Sequence, residues 1–176
     1  MGDIKFGVLG LSLLFVGIVL VVNGVGRLFK FDAKSMSIMN IITGFIIVSI
    51  NFLSLNGVLN NPDALIGDYL NIASGFLFGF TYIFIAANYL FKLDLRPFGW
   101  FSFFVAIYAA VMSIMAFIDA DLLFGFLWAA WAVLWLEGFL ALVVKLKLEK
   151  LFPYLSIAEG IFAAFIPAIL MLLGVI

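Results

Sequence analysis

The sequence contains no cysteine and no histidine. That excludes disulfides, thiol chemistry, thiolate or imidazole metal sites and His-based acid–base catalysis together. Charge is scarce as well: 11% of the 176 residues are Asp, Glu, Lys or Arg, against about a quarter in soluble domains. The net charge of −1 gives no reason to expect nucleic acid as a partner. Gly-rich phosphate loops, Ser–His–Asp sets, Asp-rich clusters and intramembrane-protease motifs are missing too. The expectation is a protein with no cofactor, no metal and no catalytic residues.

What is abundant is oil. Hydrophobic residues make up 67% of the chain and the mean hydropathy is +1.33. A single water-soluble core of this length cannot bury that much, so lipid must be the solvent. A hydrocarbon layer of ~30 Å needs roughly 20 apolar residues in helix. Six windows satisfy this: Ile4–Gly26, Met36–Leu55, Tyr69–Phe91, Pro97–Phe117, Leu123–Val144 and Phe152–Val175. They lack polar/apolar alternation and are about twice the length of a barrel strand, so helices are expected. The fold class is therefore all-α, a polytopic membrane protein in which residues 1–176 form one six-helix domain. The first window is too long for a signal h-region. It also lacks a basic n-region, because Asp3 and Lys5 cancel, and is read as a retained span.

Charge placement gives the expected orientation. Arg27, Lys30 and Lys34 fall in the first connection, Lys92 and Arg96 in the third, and Lys145, Lys147 and Lys150 in the fifth. The even connections hold only Asp63, Asp68, Asp119 and Asp121, and Lys5 alone breaks the pattern. By the positive-inside rule the odd loops are cytoplasmic and both termini lie outside. The same loops echo one another: FKFDAKS from Phe29, FKLDLRPF from Phe91 and LKLEKLFP from Leu146. This suggests three tandem helical hairpins, although any inside loop gathers Lys and Arg.

Candidate functional residues are those that do not belong in lipid. Glu137 and Glu159 lie at similar depth, on the fifth and sixth spans, near their basic-loop ends. An intramembrane carboxyl faces the bundle interior or a wet cavity. The plain alternative is a neutral Glu hydrogen-bonded to a neighbouring helix, and Glu137 is also near enough to the interface to snorkel. Trp128, Trp131 and Trp135 stand at i, i+3 and i+7, on one face of the fifth span. An interfacial belt would cluster at the membrane surfaces; this row runs inward from the outer third. Phe78 with Tyr82, and Leu9 with Leu13, are i, i+4 pairs. Each pair alone reads as packing; together they suit the wall of a narrow apolar slot. Asn23, Asn40, Asn51 and Asn88, with Gly17, Gly44, Gly75 and Gly79, read as interhelical contacts. Pro167 is expected to kink the sixth span.

Several segments resemble the AmiS/UreI family of bacterial urea and short-chain amide channels: LLFVGIVLVVNG from Leu13, FDAKSMSIMN from Phe31, LFGFTY from Leu77, LDLRPFGWFSFFVAI from Leu93, WAAWAVLWL from Trp128 and IAEGIFAAFIPA from Ile157. The resemblance implies a six-helix protomer with its own pore, a homohexameric ring around a lipid-filled centre, and a bacterial inner-membrane location. It implies delivery of urea or a small amide to a cytoplasmic urease or amidase. Carried over by position, the pore constrictions fall on Phe78, Tyr82, Trp131, Leu134, Trp135 and Glu159, with Leu9 and Leu13 as pore leucines. Glu137 is a departure from the family pattern, and with Trp128 it is kept as a further pore or mouth residue.

Acid-gated family members rely on a long, His-bearing external loop. Here the connection around Asn56–Asp68 is short and His is absent. Any proton gate would have to use Asp63, Asp68, Asp119 or Asp121. Carboxylates ordinarily titrate near ~4, so such a gate would need stronger acid unless burial shifted it. The expectation is a passive, constitutively open channel. Three other readings compete: a transporter of acetamide or formamide, a membrane enzyme using Glu137 and Glu159 as an acid pair, and a purely structural subunit.

Overall fold

The computed structural model describes residues 4–176, with side chains from residue 7 onward. Of the cancelling pair read at Asp3 and Lys5, Asp3 and the side chain of Lys5 lie outside what is described. All regular structure among them is helical: α1 (Ile4–Leu28), α2 (Ala33–Leu59), α3 (Ile66–Phe91), α4 (Arg96–Ile118) and α5 (Leu122–Leu142). The sixth span, Leu151–Leu172, is composite. It is α-helical over α6 (Leu151–Glu159), π-helical over Gly160–Phe165, and α-helical again over α7 (Ile166–Leu172). Among the described residues six helices are long and apolar enough to cross a membrane, and the protein is a multi-pass membrane protein. Large apolar side chains such as Phe45, Phe104, Phe126 and Phe162 are exposed on the bundle's outside. A surface of that kind suits lipid or another copy, not water.

The helices begin and end where the local chemistry provides partners. Asp32 accepts from the Ser35 N–H at 2.8 Å, and Asp121 from the Phe124 N–H at 3.1 Å, each capping the following helix. Asp68 accepts from the Leu65 N–H at 3.0 Å. Pro97 sits in the first turn of α4, where its missing N–H costs no bond. On the basic-loop side the chain turns at lysines in the left-handed region: Lys30 (φ 54°), Lys92 (φ 52°) and Lys145 (φ 68°). The first two are the repeated lysines of the sequence echo; the third lies two residues before its counterpart Lys147.

The helices pack closely in three pairs, two of them joined by the acidic connections. Helix α2 lies along α3, α4 lies along α5, and α1 lies along the sixth span. The basic loops thus join closely packed pairs to one another, and α1 meets α2 over a smaller contact. Glycine permits the close approaches. A Cβ on Gly44 would come within 3.0 Å of the Gly79 carbonyl, and one on Gly75 would overlap the Asn51 side chain. A Cβ on Gly17 would sit 2.7 Å from Phe165 N and 2.8 Å from the Gly160 carbonyl. So α1 crosses the sixth span at its π-helical turn.

That turn has a local cause. Pro167 lacks an N–H and its ring displaces the carbonyl four residues back. The chain absorbs the insult by widening the preceding turn: the Ile166 N–H donates to the carbonyl of Ile161, five residues back. The expected kink is thus taken up as a π bulge.

Of the four asparagines expected to make interhelical contacts, two form a cross-helix pair. Asn23 Nδ2 donates to Asn40 Oδ1 at 3.0 Å, and Asn40 Nδ2 donates back to Asn23 Oδ1 at 2.8 Å and to the Met36 carbonyl at 2.9 Å. Asn51 Nδ2 instead donates within its own helix, to the Ile47 carbonyl at 2.8 Å, and Asn88 Oδ1 has no partner. Asn23→Leu therefore strands a fully buried Asn40. A loss of about 1–2 kcal/mol is expected, read as a lower melting temperature in detergent, with Asn23→Leu/Asn40→Leu recovering part of it. A single variant as stable as wild type would contradict this.

Candidate functional site

Helix α5 buries Trp128, Trp131 and Trp135 on one face, and α3 brings Phe78 and Tyr82 against them. Phe78 is the hub. Its ring lies 6.0 Å from Trp128, 5.1 Å from Trp131 and 4.7 Å from Trp135, centroid to centroid, each time edge to face. Trp128 and Trp131 stand 4.9 Å apart in the same manner. These are the preferred quadrupole geometries for aromatic pairs. Leu13 of α1 is buried in this cluster, and Leu9 and Leu134 pack on it half-buried. Residues separated by more than 120 positions in sequence are thus brought to one place.

Two polar atoms in this apolar setting have no hydrogen-bond partner: Trp131 Nε1 and Glu159 Oε2. One is a donor and the other an acceptor. Stranding such an atom costs about 1–3 kcal/mol, and native proteins leave few of them. Glu159 is the last residue of α6, directly before the π-helical turn, and only 6% exposed. Its carboxyl is near enough to Tyr82 to act on the hydroxyl electrostatically. A carbonyl oxygen could satisfy Trp131 Nε1, and an N–H could satisfy Glu159 Oε2.

Beyond this cluster, towards the basic loops, lies a cavity of about 240 Å³. Phe78, Tyr82, Trp131, Leu134 and Trp135 line it at one end, and Arg27, Glu149 and Phe152 at the other. Between them Asn23, Thr81, Tyr89, Ser102 and Glu137 add polar groups to its wall. Arg27 stacks over the Phe152 ring, 4.0 Å from its centroid. Apart from Glu137, the sequence reading did not connect these polar residues. Asn23 had carried only a packing signal, and Ser102, Thr81 and Tyr89 none.

The four acidic-connection residues do not converge on this site. Asp63, Asp119 and Asp121 are exposed, and Asp68 and Asp121 serve as caps. A residue missed from sequence is Tyr108 of α4. Its ring lies 6.1 Å from Trp128, and its hydroxyl hydrogen-bonds Ser74 Oγ at 2.9 Å and donates to the Leu70 carbonyl at 2.9 Å. As a lone tyrosine in an apolar run it had no pattern to betray it.

The chain is similar to known proteins over nearly its whole length. The profile of the AmiS/UreI family transporters matches residues 8–175. The acid-activated urea channel of Helicobacter pylori is 38% identical, over 91% of this chain and 95% of that protein. That alignment runs to 186 positions, more than the 176 residues present here, so the relative carries segments this chain lacks. A putative amidate substrates transporter of Mycolicibacterium smegmatis is 37% identical over 94% of this chain and 76% of its own. The closed-state cryo-electron microscopy structure of the H. pylori urea channel superposes with a TM-score of 0.87 at 37% identity, covering 96% of this chain and 99% of that one.

Proposed function

The chain belongs to the AmiS/UreI family of transporters, and from that premise we propose that each protomer passes urea or a short aliphatic amide, passively, through the slot between Phe78, Tyr82, Trp131 and Trp135. The protein is a channel or transporter and not an enzyme. The observation that carries the pore reading is the pair of unpartnered atoms, Trp131 Nε1 and Glu159 Oε2, in an otherwise apolar core that borders a cavity.

The physical mechanism follows from cargo and wall. Urea is flat and neutral, and aromatic edges and faces make a slot of its thickness, with π faces weakly accepting amide hydrogens. Glu159 accepts from the amide and the Trp131 indole donates to the carbonyl, replacing part of the water the solute gives up. Leu9, Leu13 and Leu134 supply apolar wall. Ions would lose hydration without replacement and are turned away. Contacts this few keep binding weak enough for exit.

The remaining features of the assignment are read in the same way. The basic loops face the cytoplasm of a bacterial inner membrane, with both termini outside, and residues 1–176 act as one channel domain. The exposed apolar flanks support a homohexameric ring in lipid, beside a cytoplasmic urease or amidase. The left-handed lysines at all three basic turns support the threefold internal repeat of helical hairpins centred on the basic loops.

The pore is open without an acid trigger. Histidine is absent, and the acidic-connection carboxylates are exposed or engaged as caps. In the third loop Asp94 is held down at about 2, chiefly by its hydrogen bond from the Arg96 side chain. A carboxylate so depressed contributes above the ordinary range near ~4 and is lost only as pH falls through about 2, so this pair cannot sense mild acid. Urea flux into proteoliposomes is expected to stay within about twofold from neutral to mildly acidic pH. A several-fold rise on acidification would overturn the ungated reading.

A further inference from the structure

The cavity wall carries a charged group that the aromatic slot does not use. Glu137 lies two residues beyond Trp135 on α5, is 5% exposed and lines the cavity. Among the described residues it forms no ion pair and accepts no hydrogen bond. A buried carboxyl costs several kcal/mol in lost hydration, and this one, without a protein partner, turns its lone pairs to whatever occupies the cavity it lines. Arg27 lines the same cavity and acts on Glu137 electrostatically, while its guanidinium is held over the Phe152 ring. Two groups of opposite charge therefore border one cavity.

We propose that Glu137 and Arg27 form a second solute site, before or after the slot, for a neutral molecule bearing both an N–H and a carbonyl. The Glu137 carboxylate accepts from the amide N–H, and the Arg27 guanidinium donates to the carbonyl oxygen. Both bonds are charge-assisted, and so stronger than the neutral contacts available along the slot. An amide or urea presents its positive and negative ends in one rigid plane, and an opposed acceptor and cation match that dipole. The cavity of about 240 Å³ accepts such a solute together with waters. Tyr89 adds a hydroxyl to the same wall. Such a site raises the local concentration of cargo at one mouth of the slot. It rests on the channel reading above and assigns a role to a residue that the slot leaves idle.

The test is urea permeability at low millimolar urea, measured on the full chain in liposomes, with melting temperature followed in parallel. Glu137→Leu is expected to lower permeability about tenfold, the loss of one charge-assisted hydrogen bond. Glu137→Gln keeps the shape and one acceptor oxygen, and is expected to recover part of it, to about threefold below wild type. Arg27→Gln is expected to fall similarly, and Arg27→Gln combined with Glu137→Leu to fall by less than the product of the two. Permeability of Glu137→Leu within twofold of wild type overturns the proposal. Should Glu137→Leu fail to fold, a Glu137→Gln protein indistinguishable from wild type overturns it equally. A wild-type protein that passes no urea or short amide would instead defeat the channel reading itself.

Discussion

Glu159→Leu is expected to lower urea flux at least tenfold while leaving the protein as stable as wild type, or more so. The two halves of this result have one cause. Glu159 is 6% exposed, its Oε2 meets no partner, and apolar helices surround it. Removing an acceptor that nothing in the protein satisfies strands no donor and relieves a desolvation cost of several kcal/mol. Folding therefore gains or is unmoved. The proposed slot meanwhile loses the charged acceptor assigned to it, worth about 1.5–3 kcal/mol when a charged group is involved, which is a factor of ten or more. Trp131→Phe, which deletes the indole N–H but keeps an aromatic face, is expected to fall by less. Stopped-flow urea uptake into proteoliposomes and thermal melts of the same preparations provide both readouts. Unchanged flux in Glu159→Leu removes the residue from the pore. Collapse of the fold would show instead that the carboxyl is structural.

Gly17→Ala is expected to destabilise the bundle strongly. The added Cβ would meet Phe165 N and Cβ at 2.7 Å and the Gly160 carbonyl at 2.8 Å. Two of those three atoms are backbone, which cannot rotate away. Overpacking usually costs about 1–3 kcal/mol, and the upper end is expected here because α1 must be pushed off the whole sixth span. Ser156 Oγ, which donates to the Leu20 carbonyl at 2.8 Å across this interface, would be pulled away as well. Gly57→Ala provides the contrast: no atom lies within 4 Å of its added methyl. There the helix gains about 0.8–1 kcal/mol of propensity. Melting temperatures of the two variants should move in opposite directions. A Gly17→Ala protein that melts with wild type would mean that the α1 crossing is looser than the structure has it.

Much of the architecture was readable because lipid leaves few choices. Backbone groups in hydrocarbon must be satisfied within the segment, so each long apolar run had to be a helix, and charge separated the connecting loops. The observed ends differ from the hydropathy windows by up to four residues: α2 runs on through Asn56 to Leu59, past the window's end at Leu55, while the sixth span stops at Leu172, short of Val175. The aromatic cluster was also legible. Trp128, Trp131 and Trp135 at helical spacing announce one face, and a face so large and apolar in mid-span packs inward. Helix pairing was not legible. The sequence echo centres on the basic loops, yet close packing crosses the acidic connections, since contact is decided by where Gly17, Gly44, Gly75 and Gly79 let backbones approach.

The sequence by itself determined that this is a six-helix membrane protein with a basic and an acidic side, that imidazole and thiol chemistry are closed to it, and which aromatic side chains share a face. Those properties are local: they depend on hydropathy, residue type and the helical period alone. The tertiary structure decided that Phe78 is the hub of the tryptophan row, that Trp131 Nε1 and Glu159 Oε2 are left without partners, and that Arg27 and Glu137 line one cavity. It also decided that Pro167 is absorbed as a π-helical turn exactly where Gly17 crosses. Each of these is a relation between helices far apart in the chain, set by side-chain volume and backbone approach, and no spacing along a single helix encodes it.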